Sequence, residues 1–110
     1  MASTNKQGFR IEDTIAKELR SLPDWDIVGR ELTKGFYLDT FNYAIGFINS
    51  VAKVANDLQH HPDILLSEFS TVRLFIKTNE FGKVTEKDVK FAKGVEREWR
   101  AWRKYEKKTW

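Results

Sequence analysis

The sequence predicts an α+β fold, a two-layer sandwich in the order α-β-β-α-β-β-α, with a four-stranded antiparallel sheet and three helices on one face. Three observations predict it. Two stretches alternate apolar and polar residues at period two, and three others repeat apolar residues at spacings of three and four. Every one of these elements has a single apolar side, which one shared core would bury. With 110 residues, 41% of them hydrophobic and 14% aromatic, the chain can build one core but not two ordinary domains. Residues 1–9 are expected to form a flexible N-terminal arm and residues 10–110 the single domain.

Ile11, Ile15, Leu19 and Leu22 recur at helical spacing until Pro23 stops the pattern. Trp25, Ile27 and Val28 read as a short strand, and Gly29-Arg30 as the turn into a second. There Leu32, Phe36 and Leu38 share one face, with Thr33, Gly35 and Tyr37 on the other. Asp39 is placed to cap the long helix that follows. The stripe of that helix is Phe41, Ala44, Ile45, Ile48, Val51, Ala52, Ala55 and Leu58. A second hairpin is expected from the runs Ile64 to Phe69 and Val72 to Thr78, joined at Ser70-Thr71. Val72, Leu74 and Ile76 face one way, and Arg73, Phe75, Lys77 and Asn79 the other. Thr85 and Asp88 form a reciprocal capping pair, with Val84 and Val89 as a hydrophobic staple. The last helix carries the stripe Phe91, Ala92, Val95, Trp99 and Trp102 and is expected to extend as a basic, aromatic C-terminal helix. Gly94 inside it costs about 1 kcal/mol relative to alanine, which a close helix contact would offset.

The chain has no cysteine, which excludes disulfides, thiolate metal sites and cysteine nucleophiles. No stretch is long enough to span a bilayer and Met1 to Gly8 lacks the apolar run of a signal peptide, so a soluble, cytoplasmic protein is expected. Of the net charge of +3, the segment Lys93 to Trp110 holds seven Lys/Arg against three Glu, or 7 − 3 = +4, leaving −1 for the rest.

The two histidines of the chain are adjacent, His60-His61, at the junction of the long helix and a strand, and Pro62 follows. Proline biases His61 toward extended backbone and helps to end the helix before it. With an ordinary pKa of about 6.5, one imidazole can accept a proton near neutrality while another donates one. The plainer alternatives are two surface histidines, or a His60 that serves the carbonyls of the helix end. A metal site is not expected, because adjacent residues seldom converge on one ion and no further histidine or cysteine is present to complete a closed site.

From His60-His61-Pro62 six residues lead to Phe69, nine more to Asn79, and eight more to Asp88. This spacing resembles the signature of the pterin-4a-carbinolamine dehydratase family, in which His-His-Pro precedes an aromatic, a His or Trp and an Asp. Leu22-Pro23-Asp24-Trp25, the passage Phe36 to Phe47 and Thr85-Glu86-Lys87-Asp88 are similar to the family as well, so the resemblance runs from about Ile11 to Val95. Asn56 stands where the family carries a charged residue, and Asn79 where it carries a third active-site histidine.

The resemblance implies dehydration of a 4a-hydroxytetrahydropterin to the quinonoid dihydropterin, in recycling of the tetrahydropterin spent by aromatic amino acid hydroxylases. It implies acid and base work for His60 and His61, a holding role at Asn79, and a pterin pocket lined by Pro62, Thr78, Glu80 and Phe81, with Trp25 stacking on the ring. Asn79 can donate and accept hydrogen bonds but cannot shuttle a proton at neutral pH. Trp25 reads equally as core, Phe69 most simply as strand packing, and Asp88 as a helix cap. No metal or organic cofactor is implied, and a homodimer or homotetramer is. The rival reading is a dehydratase-like binding or assembly factor, since relatives of the fold serve as a transcriptional coactivator and a RuBisCO assembly factor. The segment Arg97 to Tyr105 interleaves aromatics with cations, a pattern that suits nucleic acid and, more simply, an amphipathic helix with its tryptophans inward.

Overall fold

The structure, a computed structural model, describes residues 14–108. The expected arm and Ile11 lie outside these residues. Helix α1 spans residues 14–20, followed by β1 (Asp26–Val28), β2 (Glu31–Tyr37), α2 (Phe41–Leu58), β3 (Asp63–Ser67), β4 (Thr71–Ile76) and α3 (Glu86–Trp102). The strands form one antiparallel sheet in the order β1-β2-β4-β3. The fold class and element order are those the apolar patterns predict.

Alternation along the central strands aims Leu32, Phe36, Val72, Leu74 and Ile76 at the helical layer, where all are buried. They meet Ile15 of α1, Phe47 and Val51 of α2, and Phe91 and Val95 of α3 in one core. Gly94 has the expected reason: a Cβ there would stand 2.7 Å from Val54 Cγ1, so α2 and α3 approach too closely for alanine. Lys34 shares the apolar face of β2 with Leu32 and Phe36 and is buried. Its ammonium donates to Glu96 Oε2 at 2.8 Å and lies over the Phe36 ring. The same oxygen accepts from Trp25 Nε1 at 2.7 Å, so the charge is paired where an unpaired one would cost several kcal/mol, about 3–5.

The structure departs from the sequence pattern at four places. The cap of α2 is Thr40, whose hydroxyl accepts from the Tyr43 N–H at 3.0 Å; the Asp39 N–H is held by the Tyr105 carbonyl, which keeps Asp39 one residue outside the helix. The buried line of α2 is Ala44, Phe47, Val51 and Ala55, while Phe41, Ile45 and Leu58 are exposed. The β3–β4 turn lies at residues 68–70, so Phe69 is not packed in a strand: it has φ +55° and is 63% exposed. Finally, α3 stops at Trp102 and continues only as a single 3-10 turn, Arg103–Tyr105, before Glu106 bridges to Leu38.

Candidate active site

The end of α2 is shaped by a left-handed residue. Gln59 has φ +51°, its N–H is donated to the Asn56 carbonyl, and that of His60 to the Ala55 carbonyl. This pair of bonds closes the helix and turns the chain sharply outward. Such a conformation costs a residue other than glycine about 1–2 kcal/mol, which the closing bonds and the following strand must offset. The turn sends His60 and His61 to different surroundings.

His60 is half-buried against the first turn of α3. Its Nε2 lies 2.6 Å from Asp88 Oδ1, and the Asp88 side chain is fully buried. The other carboxylate oxygen, Oδ2, accepts from the Thr85 N–H at 2.8 Å and from Thr78 Oγ1 at 2.9 Å. Thr85 Oγ1 in turn accepts from the Lys87 N–H and lies 2.5 Å from Thr78 Oγ1. The capping box expected at Thr85 is therefore present, but it uses only one oxygen of Asp88. The free oxygen of a buried carboxylate requires a donor, and His60 Nε2–H supplies it. That bond fixes the tautomer and leaves Nδ1 with the lone pair.

His61 is exposed, and its Nε2 lies 2.9 Å from Asn56 Oδ1. An amide oxygen only accepts, so this contact also assigns the ring proton to Nε2 and the lone pair to Nδ1. Both histidines thus have one nitrogen anchored and one open.

A cleft of about 200 Å³ lies beside His60, lined by Leu58, Gln59, Lys87 and Lys90. A larger, mostly apolar cleft of about 370 Å³ opens between α1 and the β1–β2 turn and reaches Thr85. The Asp88 network therefore stands between the two. Asn79, Glu80 and Phe81 are exposed on the turn that follows Thr78, and Glu80 pairs with Lys87 at 3.5 Å across the cleft rim. Pro62 is half-buried beside His61. The Thr78 hydroxyl is committed to Asp88. Trp25 is 4% exposed, edge-on to Phe36 and bonded to Glu96, so stacking on a ligand would require it to leave the core. Among the described residues, no group of three or more His, Cys, Asp or Glu side chains could hold a metal ion.

Local sequence pattern explains Asp88 as a cap and says nothing about a partner 28 residues away; the motif spacing is the one signal that links it to His60.

Comparison with known proteins gives one consistent result. The family model described as pterin 4 alpha carbinolamine dehydratase matches residues 11–98. A candidate dehydratase of this type from Thermomicrobium roseum is 36% identical over 85 residues, covering 76% of this chain and 90% of the relative. One from Chloroflexus aurantiacus is 38% identical over 85 residues, covering 77% and 90%. Among solved structures, a transcriptional coactivator/pterin dehydratase from Brucella melitensis superposes with a TM-score of 0.72 at 29% identity, covering 79% of this chain and 94% of that one. A pterin dehydratase-like RuBisCO assembly factor of the alpha-carboxysome superposes at 0.58 with 19% identity, covering 68% and 88%, a likeness of fold alone.

Proposed function

Because the chain belongs to the pterin-4a-carbinolamine dehydratase family, we propose that it dehydrates a 4a-hydroxytetrahydropterin, with His60 and His61 as the acid and base. The observation that carries this reading is the orientation of the pair, each ring anchored through Nε2 with Nδ1 left open. In the reaction the N5 proton passes to one histidine, the C4a–O bond breaks, and the hydroxyl leaves as water with a proton from the other. The N5 electron pair forms the new double bond of the quinonoid dihydropterin.

Anchored on a buried anion, His60 is the better placed to receive the N5 proton at its open Nδ1, and the exposed His61, once a solvent proton has been taken up at its own Nδ1, to protonate the departing hydroxyl. Pro62, Glu80 and Phe81 line the approach and Asn79 holds the pterin by hydrogen bonds. Thr78 acts through Asp88 and Trp25 through the core. Tetrahydropterin recycling in the cytoplasm is part of the same proposal. So is self-association, which exposed Ile64 and Leu65 on the edge strand β3 and exposed Phe41 and Ile45 on α2 support.

The test supplies purified protein with chemically generated 4a-hydroxytetrahydropterin and follows the quinonoid product. Acceleration over buffer is expected; none at any protein concentration would end the proposal. A second reading, a binding or assembly factor without turnover, is favoured by one observation, the non-ionisable Asn79 on the exposed turn. Asn79→His separates the two. A gain approaching the general-catalysis factor of about 10²–10⁴ marks an enzyme short of one proton shuttle, and no gain in an inactive chain favours the binding role.

A further inference from the structure

Helix α3 takes part in two separate constellations. Its first turn belongs to the Asp88 network, while its second half walls a groove of about 370 Å³ facing residues 21–23 and lined by Lys93, Arg97, Arg100 and Arg103 over Leu22 and Trp99. The dehydratase chemistry makes no use of this groove.

Its charges are unevenly compensated. Lys93 pairs with Glu18 of α1, and Glu96, the one acid of the lining, is held by Lys34 and Trp25. Arg97, Arg100 and Arg103 have no acidic partner among the described residues. Three guanidinium groups therefore line one concavity, Arg97 and Arg100 displaced by about 4.5 Å along the axis of α3 and Arg103 following on the 3-10 turn. Attraction to the carbonyl end of α3 accounts for cations in its last turn, but not for Arg97, nor for the concavity.

The nearby aromatic side chains are committed elsewhere. Trp99 packs edge-on against Phe36 and Phe47, Trp102 donates to Ser50 Oγ and lies against Gly46, and Tyr105 stacks on Tyr43. Among the described residues, no ring beside the groove is left as a platform for a nucleobase, which removes the stacking half of single-strand recognition there. What remains suits a compact anion, because the planar guanidinium fork matches pairs of phosphate oxygens.

We propose that the groove binds a small, multiply charged phosphate anion, with Arg97, Arg100 and Arg103 gripping adjacent phosphoryl groups. An inorganic polyphosphate and the tail of a nucleoside triphosphate share that chemistry. Calorimetric titration of the full chain with tripolyphosphate, and separately with ATP, tests it. Saturable one-to-one binding of tripolyphosphate is expected, weakened about tenfold by each of Arg97→Gln, Arg100→Gln and Arg103→Gln. Lys53→Gln, which removes an exposed cation of α2 outside the groove, should leave it unchanged. Tighter binding of ATP would assign the nucleotide as the source, and equal binding the phosphate chain. The proposal falls if neither ligand saturates, if Lys53→Gln weakens binding as much as the arginine variants, or if a single-stranded oligonucleotide displaces tripolyphosphate at lower phosphate concentration. Circular dichroism and thermal unfolding establish that the variants compared are folded.

Discussion

His60 is half-buried and tied to a buried carboxylate 28 residues along the chain, whereas His61, the next residue, is exposed and tied to Asn56 on the helix the chain has just left. The anchor of His60 is itself held by the Thr85 N–H and the Thr78 hydroxyl. Its orientation therefore depends on the end of α2, the segment after β4 and the start of α3 together. That of His61 depends on one side chain in one helix. Two adjacent residues of one type are thus coupled to the stability of the fold to very different degrees, and the proposed division of labour follows the same line.

Asp88→Ala should have the largest effect. It leaves the Thr85 N–H, the Thr78 hydroxyl and His60 without their common acceptor, and losses of about 1–3 kcal/mol per stranded polar group lead us to expect a total of about 3–5 kcal/mol in urea unfolding. Turnover should fall by at least about 10²-fold, mainly in kcat, because His60 loses its fixed tautomer while the surfaces expected to hold the pterin remain. Retention of both stability and kcat would break the comparison at its root.

Next in size are the histidines themselves, whose replacement by alanine should separate stability from activity. His60→Ala leaves a buried carboxylate oxygen unsatisfied and should cost about 1–3 kcal/mol. His61→Ala should stay within about 0.5 kcal/mol, as exposed substitutions do. Both should lower turnover by about 10²–10⁴-fold. Equal destabilisation by the two variants would mean that the His61 contact matters to the fold as much as the Asp88 network does.

The sequence carried the element order because alternation and helical spacing are imposed by burial, and burial is what the core residues Phe36, Leu74 and Val95 experience. It carried the Thr85 cap because a capping box is complete within four residues. It failed where the deciding partner was distant or the backbone unusual. The second oxygen of Asp88 has its donor in another element. The choice between Asp39 and Thr40 turned on the Tyr105 carbonyl, far along the chain. Glu68 and Phe69 both adopt positive φ without the glycine or asparagine that would announce a left-handed turn, so the sequence pattern places the turn two residues late. In α2 an apolar flank of Phe41, Ile45, Ile48 and Ala52 adjoins the buried line, so spacing alone does not single out Phe47 as the ring that enters the core.

The smallest effect concerns the anchor of His61. Asn56 fixes the ring through an amide oxygen and contributes no charge, whereas a carboxylate there would keep the hydrogen bond and favour the imidazolium state. Asn56→Asp should therefore add no more than the attraction of an exposed ion pair. Water screens so exposed a pair, which limits the gain to about 0.2–1 kcal/mol. Against this stands the position of the new charge in the last turn of α2, where the helix dipole penalises an anion by about 0.3–1 kcal/mol. These opposing terms nearly cancel, so urea unfolding should show the variant within about 0.5 kcal/mol of the parent. Turnover near neutrality should change by less than about fivefold, the factor that 1 kcal/mol represents. A loss of about 1 kcal/mol, the full penalty that the helix dipole can exact, would mean that the carboxylate does not reach the His61 ring, and that the contact with Asn56 does little to orient it.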